Sequence, residues 1–266
     1  MTRRTNKRHR EPASRRNIGK PWQAESFLDH PESDQSLGKV LDATILVMAS
    51  LAEPGEAGKH ISRTQNYVRA LALKLKTVPA FARLLSDQYI ATLFMAAAWH
   101  DIGNAGVPDR ILLKPGALTE DELDVVKAHP VIGRNTIDEI QHRAGVSTEF
   151  LTMAREIAYC HQERWDGSGY PQELAAESIP VAARLMAIAD AYDALTSRRV
   201  YREGVPHDLA VQQIFQERAS HFDPDMVDAF IEIQDEFQAI AQRYADTEVD
   251  FENKIDYMAK AIAETP

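Results

Sequence analysis

The stretch Ile90-Ala-Thr-Leu-Phe-Met-Ala-Ala-Ala-Trp-His-Asp101 decides how this chain is read. A greasy helical run ends on a histidine and an aspartate. An unpaired carboxylate buried after such a run is costly unless something cationic compensates it. His60, His129, His161 and Asp190 stand in comparable settings, each at the end or on the face of an apolar helical run. One divalent ion shared among such groups would relieve all of these burials together. The pattern points to a metal-dependent hydrolase.

Working outward, the apolar spacing is mostly three and four, the period of helices. Val40, Leu41, Ile45, Met48 and Leu51 form one face, ended by the turn at Pro54-Gly55. A second helix is expected over about 56–76, with Tyr67, Leu71, Leu73 and Leu75 inward, and a third over about 80–99. Thr119-Glu-Asp-Glu122 is a capping-box signature that opens a helix toward His129-Pro130, where proline suits a kink or a new first turn. Further helices are expected over about 147–162, 180–197, 208–218 and 224–243, and in the acidic end to Ala263. Arg164-Trp-Asp-Gly-Ser-Gly-Tyr-Pro171 reads as an ordered, turn-rich loop. No alternating strand pattern appears, so the fold class is all-α.

Composition narrows the classes. With 266 residues, 44% of them hydrophobic, the chain can bury a full core. The single cysteine, Cys160, excludes an intrachain disulfide framework and points to a cytoplasmic setting. No apolar run approaches the roughly 20 residues that span a bilayer, and no secretory core follows the basic start. Eight of the 30 Lys and Arg fall in residues 1–20 beside one of the 40 acids, leaving 22 bases against 39 acids elsewhere. Residues 1–36 are therefore expected to be a basic, solvated arm, and nucleic acid is not an expected partner.

Several strings in order carry a specific resemblance. His100-Asp-Ile-Gly103, Gly106-Val-Pro-Asp-Arg-Ile-Leu112, Lys114-Pro-Gly-Ala-Leu-Thr119 and His129-Pro130 come first. Glu163-Arg-Trp-Asp-Gly-Ser-Gly-Tyr-Pro171, Ala187-Ile-Ala-Asp190, Asp193-Ala-Leu-Thr-Ser197 and His221-Phe-Asp-Pro224 follow. The segment resembles the HD-GYP family of metal-dependent phosphodiesterases, which hydrolyse cyclic di-GMP and, in some members, related cyclic dinucleotides. The resemblance implies an HD-domain helical core with a GYP loop and extra C-terminal helices. On that reading 37–235 is the catalytic domain and 236–266 an acidic helical extension, with no room before Leu37 for a receiver or sensor domain.

The resemblance also implies a ligand set for two or three divalent metal ions: His60, His100, Asp101, His129, His161 and Asp190, with Glu56 as the ligand of a third. Iron or manganese is expected, and zinc, magnesium or nickel is compatible with such donors. Two cations would neutralise the phosphate oxygens and turn a shared water into hydroxide at ordinary pH. Asp101, with His100, would carry the chemistry, because one carboxylate can offer an oxygen to each ion. Cleavage would give pGpG, with onward cleavage to GMP. Arg199 and Arg202 match the family's phosphate-binding positions, and Asn104 stands where the family favours lysine. Gln162 stands where a second histidine is usual. These two departures keep open a non-catalytic effector that binds cyclic di-GMP or a diguanylate cyclase. A phosphohydrolase acting on another nucleotide or phosphate ester is the third reading. The GYP loop implies a GGDEF-domain protein as a further partner.

Overall fold

The structure, a computed structural model, describes residues 31–52, 59–200 and 202–263. It divides into two units, 1–40 and 41–266. The described part of the first unit is the beginning of a helix, α1 (Pro31–Ala52), which starts six residues before the expected Leu37. The second unit contains everything that follows.

Its centre is four helices: α2 (Lys59–Leu75), α3 (Asp87–Ala97), α7 (Glu149–Cys160) and α8 (Val181–Thr196). Between α3 and α7 lie two short helices, α4 (Asp109–Leu112) and α5 (Glu120–Lys127), and the longer α6 (His129–Ala144). The outer layer is α9 (His207–Gln216), α10 (Pro224–Glu232), α11 (Gln234–Arg243) and α12 (Glu248–Ala263). Among the described residues there is no strand, only two isolated bridges. The fold is all-α. No helix among the described residues is long and apolar enough to cross a membrane.

Local chemistry explains the boundaries. The expected helix over 80–99 is delayed to Asp87, because Ser86 Oγ accepts the Tyr89 N–H at 3.1 Å and caps the chain there. The capping box at Thr119 and Glu122 forms as read, and Pro130 sits in the first turn of a new helix, α6. The stretch 224–243 breaks at Ile233 into α10 and α11.

Large side chains from distant helices fill the core. The Tyr67 ring stacks on Phe237 at 4.7 Å, and Tyr192 and Phe230 meet Phe237 edge-on at 5.3 and 4.9 Å. Each such aromatic removes a large apolar area from water and adds its own ring contact. Two expected faces are corrected. On α1, among the described side chains (Val40 and Leu41 lie outside them), Ala49 and Ala52 are buried while Met48 and Leu51 are exposed; on α2, Leu73 is exposed. Small alanines let α1 approach closely, and its Ile45 carbonyl accepts the Trp99 Nε1–H at 3.2 Å.

Candidate metal centre

The helix that ends at Ala97 unwinds into tight turns through the HD pair. Asp101 takes φ −104° and ψ 16°, and the Asn104 N–H reaches back to the Asp101 carbonyl at 2.9 Å. In a continuing α-helix, neighbours such as His100 and Asp101 would point about 100° apart. The unwound turn instead aims both at one centre. Gly103 makes this possible: a Cβ there would lie 1.9 Å from the His129 carbonyl oxygen. The HD turn and the start of α6 therefore touch through a backbone position that only glycine fits.

Six of the expected ligands come together in two groups. His60, His100 and Asp190 form one, and Asp101, His129 and His161 the other, with donor atoms in each group within 4.8 Å of one another. Asp101 belongs to both neighbourhoods. Its Oδ1 lies 3.3 Å from His161 Nε2 and 3.4 Å from His129 Nε2, and its Oδ2 lies 3.7 Å from His100 Nε2. Asp190 Oδ1 stands 4.0 Å from Nε2 of both His60 and His100. The four histidines are buried, whereas the two carboxylates are about a quarter exposed, so the centre opens on their side.

The far nitrogen of each ring sets the protonation. Nδ1 of His100, His129 and His161 donates to the carbonyls of Ala97, Val126 and Ile157, at 3.0, 2.7 and 3.0 Å. His60 Nδ1 donates to Asp193 Oδ2 at 2.7 Å. Carbonyls and a carboxylate only accept, so each Nδ1 carries the proton and each neutral ring turns a bare Nε2 inward. Those nitrogens face each other in pairs, His60 with His100 and His129 with His161, both at 3.3 Å. Asp101 Oδ1 is buried and has no hydrogen-bond partner among the described residues. Facing lone pairs beside an orphaned carboxylate oxygen are unfavourable alone and fit a cation between them. Mixed imidazole and carboxylate donors suit a divalent transition metal.

Electrostatics favour neutral rings at His100 and His129 and draw a proton toward the Asp101–His161 pair. Burial opposes ionisation of Asp101, yet the surrounding His100, His161 and His129 outweigh it and hold the carboxyl well below the usual range. Burial lowers the basicity of His100 and His129. At His161 burial acts in the same direction, but the Asp101 carboxylate 3.3 Å away outweighs it and raises the ring.

Two residues that hold the centre were given no role from sequence: Arg63, and Asp193, which opens one of the family strings. Asp193 also accepts from Arg63, at 2.5 Å (Nε to Oδ1) and 3.0 Å (Nη2 to Oδ2). Arg63 continues to the Tyr244 carbonyl at 3.0 Å. Burial disfavours the Asp193 charge, but His60 and Arg63 overcome it and hold the carboxyl well below the usual range. The available signal was spacing: Arg63 follows His60, and Asp193 follows Asp190, by three residues on one helix face.

The GYP loop borders the centre. Buried Glu163 accepts the Gln172 and Leu174 N–H groups at 2.8 and 3.1 Å, pinning the loop. A Cβ at Gly169 would fall 2.3 Å from the Arg164 nitrogen. Tyr170 approaches the His129 ring edge-on at 6.5 Å, and burial with the charges of Asp101 and Asp190 pushes its phenol up to about 12. Gln162 is half-buried, and its carbonyl accepts the Tyr170 N–H at 3.2 Å. Asn104 is half-buried in the turn after the HD pair. Cys160 is buried, which pushes its thiol up to about 12, so it is no nucleophile. Arg199 and Arg202 are exposed and pair backbone to backbone at 2.7 and 3.1 Å; the Arg202 guanidinium donates to the Ala194 carbonyl. Glu56 lies outside the described residues. His207 is half-buried, with Nδ1 2.8 Å from the Tyr192 hydroxyl.

Residues 50–226 match the family described as HD domain. A probable cyclic di-GMP phosphodiesterase of Vibrio cholerae is 47% identical over 214 residues, covering 80% of this chain and 48% of that protein. A cyclic di-GMP phosphodiesterase of the same organism is 45% identical over 223 residues, covering 83% and 45%. A 3'3'-cGAMP-specific phosphodiesterase 2, also from Vibrio cholerae, is 32% identical over 195 residues, covering 73% and 35%. The chain spans about half the length of the first two curated relatives. It belongs to the HD-domain family, in its HD-GYP branch.

Proposed function

We propose that this chain is a metal-dependent phosphodiesterase that hydrolyses cyclic di-GMP to pGpG, with onward cleavage to GMP. The observation that carries the reading is Asp101 standing between two groups of inward-facing imidazoles, with one oxygen toward each. Relatives that cover most of this chain bear the names of cyclic di-GMP phosphodiesterases. Cyclic di-GMP is an intracellular messenger, and the reducing environment implied by one buried cysteine agrees with a cytoplasmic setting.

His60, His100 and Asp190 would hold one ion and Asp101, His129 and His161 the other, with Asp101 shared and Glu56 available for a third. Iron or manganese suits these donors best, with zinc, magnesium or nickel able to occupy them. When bound, the divalent ions neutralise a phosphodiester and lower the pKa of water to near neutrality. Asp101 and His100 would fix where that charge sits, His100 held by the Ala97 carbonyl and Asp101 lying between the two pairs of imidazoles. The exposed carboxylate side admits the substrate. Arg199 offers a planar, forked donor to the second phosphate, and Arg202 backs it. Asn104 donates a neutral hydrogen bond. Tyr170, kept protonated, can donate to a substrate oxygen. The exposed tip of the GYP loop is the surface on which a GGDEF-domain protein would dock.

Gln162 and Asn104 favour a second reading, an effector that binds cyclic di-GMP without turnover. Both place a neutral amide where a stronger ligand or a cation would serve catalysis. Incubating the full chain, loaded with Mn²⁺ or Fe²⁺, with cyclic di-GMP and with 3'3'-cGAMP separates these readings. Accumulation of pGpG is the expected result. Binding without product favours the effector, and cleavage confined to other phosphate esters overturns the cyclic dinucleotide assignment.

A further inference from the structure

The carboxy-terminal helix α12 lies beyond the residues matched to the HD domain, yet its first turns touch three segments that build the site. Lys59, beside His60, donates to Asp250 Oδ2 at 2.6 Å and to the Ala245 carbonyl at 3.0 Å. The Arg198 guanidinium lies over the Phe251 ring, 3.7 Å from its centre, and 3.3 Å from Glu248 Oε1. The Tyr257 hydroxyl donates to Asp109 Oδ2 at 2.7 Å, in the segment that follows the HD pair. The helix start is itself fixed. The Thr247 N–H donates to Asp250 Oδ2 at 2.8 Å while Thr247 Oγ1 accepts the Asp250 N–H at 3.2 Å. Asp250 therefore caps α12 and grips the helix that carries His60 with one carboxylate.

The described residues of the loop 197–206, between α8 and α9, are otherwise tied to one another and to the end of α8. These ties are the Arg199–Arg202 backbone pair, the Arg198–Glu203 ion pair at 3.2 Å, the Ser197 and Val205 N–H groups on the Asp193 and Leu195 carbonyls at 2.9 and 2.8 Å, the Arg202 guanidinium on the Ala194 carbonyl, and Gly204 packed on the Thr196 carbonyl. A cavity of about 220 Å³ separates it from α12, lined by Arg63, Ser197, Arg198, Asp246 and Phe251 among others. The Arg198 side chain spans that gap to Phe251 and Glu248. A loop that must be ordered by its ligand binds more weakly, because the ordering entropy is charged to binding.

We propose that α12 is a positioning clasp that holds the arginine loop against the His60 helix, with Arg198 as its positioning residue. The inference rests on the phosphodiesterase reading for its effect on substrate. Arg198 touches no substrate on this account; it keeps Arg199 presented. The Arg198–Glu248 pair is exposed and contributes little, so the ring of Phe251 is the decisive contact.

The test compares the full-length chain with a Glu248→Gln/Phe251→Ala double variant and with Arg198→Lys, which keeps the charge but loses the planar stack. Hydrogen exchange of the peptide covering 197–205 should quicken in both variants, while peptides from α8 stay protected. KM for cyclic di-GMP should rise about three- to tenfold with kcat and Mn²⁺ affinity unchanged, and Arg198→Lys should show the smaller rise. Unchanged exchange at 197–205, or quickened exchange with unchanged KM, overturns the clasp. So does a parallel loss of kcat, metal affinity and melting temperature, which marks a merely structural helix. If the unaltered protein cleaves no cyclic dinucleotide, the functional reading fails separately, and the exchange rates together with the dissociation constant for cyclic di-GMP decide the clasp.

Discussion

The two triads of the centre are built by different means. Around Asp101, both imidazoles are oriented by main-chain carbonyls of the adjoining helix ends, three and four residues away in sequence. Around Asp190, His100 is fixed in the same way, but His60 hangs on Asp193, which hangs on Arg63, which reaches the Tyr244 carbonyl. The first triad is also tighter, with Asp101 Oδ1 3.3–3.4 Å from its histidines against 4.0 Å for Asp190 Oδ1. Backbone carbonyls cannot titrate or leave, whereas a chain of charged side chains can be cut at any member. One triad is therefore fixed by folding itself, and the other is adjustable.

The largest effect is expected where the two triads join. Asp101→Asn removes the carboxylate that reaches both, so bound metal should fall at both triads, and cyclic di-GMP turnover should drop about 10²- to 10³-fold. Metal analysis beside the turnover assay checks this, and retention of full activity would break the shared-carboxylate account. Next is the asymmetry. Asp193→Asn should weaken one of two Mn²⁺ binding steps about 10- to 100-fold and leave the other in place, as seen by calorimetric titration. Arg63→Lys should give the same split more weakly, since it keeps the charge but not the fork. Equal weakening of both steps would erase the distinction between the triads.

The smallest effect belongs to neither triad and serves as a control. Burial, aided by the Arg164 guanidinium, pushes His221 down to about 4. The unfolded chain binds this proton near pH 6.5, so stability should fall as pH drops from 6.5 toward 4. With its partial exposure, the loss is about 1–2 kcal/mol. His221→Phe should flatten that part of a denaturation-versus-pH curve without selecting either metal step.

Sequence made one triad more legible than the other for the same physical reason. His100, Asp101, His129 and His161 are set by short local features: a helix that stops, a proline in a first turn, a glycine where backbones touch. Those features are written next to the ligands they orient. Arg63 escaped notice, and Asp193 was read as the start of a family string without a role, because a charged residue inside an amphipathic helix usually faces solvent; the three-residue spacing from His60 and Asp190 is the local mark of both. The contact to Tyr244 crosses 181 positions and leaves no local trace. Packing was misjudged where volume misleads. Alanines 49 and 52 enter the core while Leu51 and Leu73 do not, because closeness of approach, not side-chain size, decides the buried face. The GYP loop read correctly as ordered, since its glycines and Glu163 encode the turns within a dozen residues.

Anomalous diffraction from crystals grown with Mn²⁺ tests the two-triad centre most directly. Two peaks are predicted, one among Asp101, His129 and His161 and one among His60, His100 and Asp190, with the Asp101 carboxylate between them. A single peak, or peaks away from these six side chains, would contradict it.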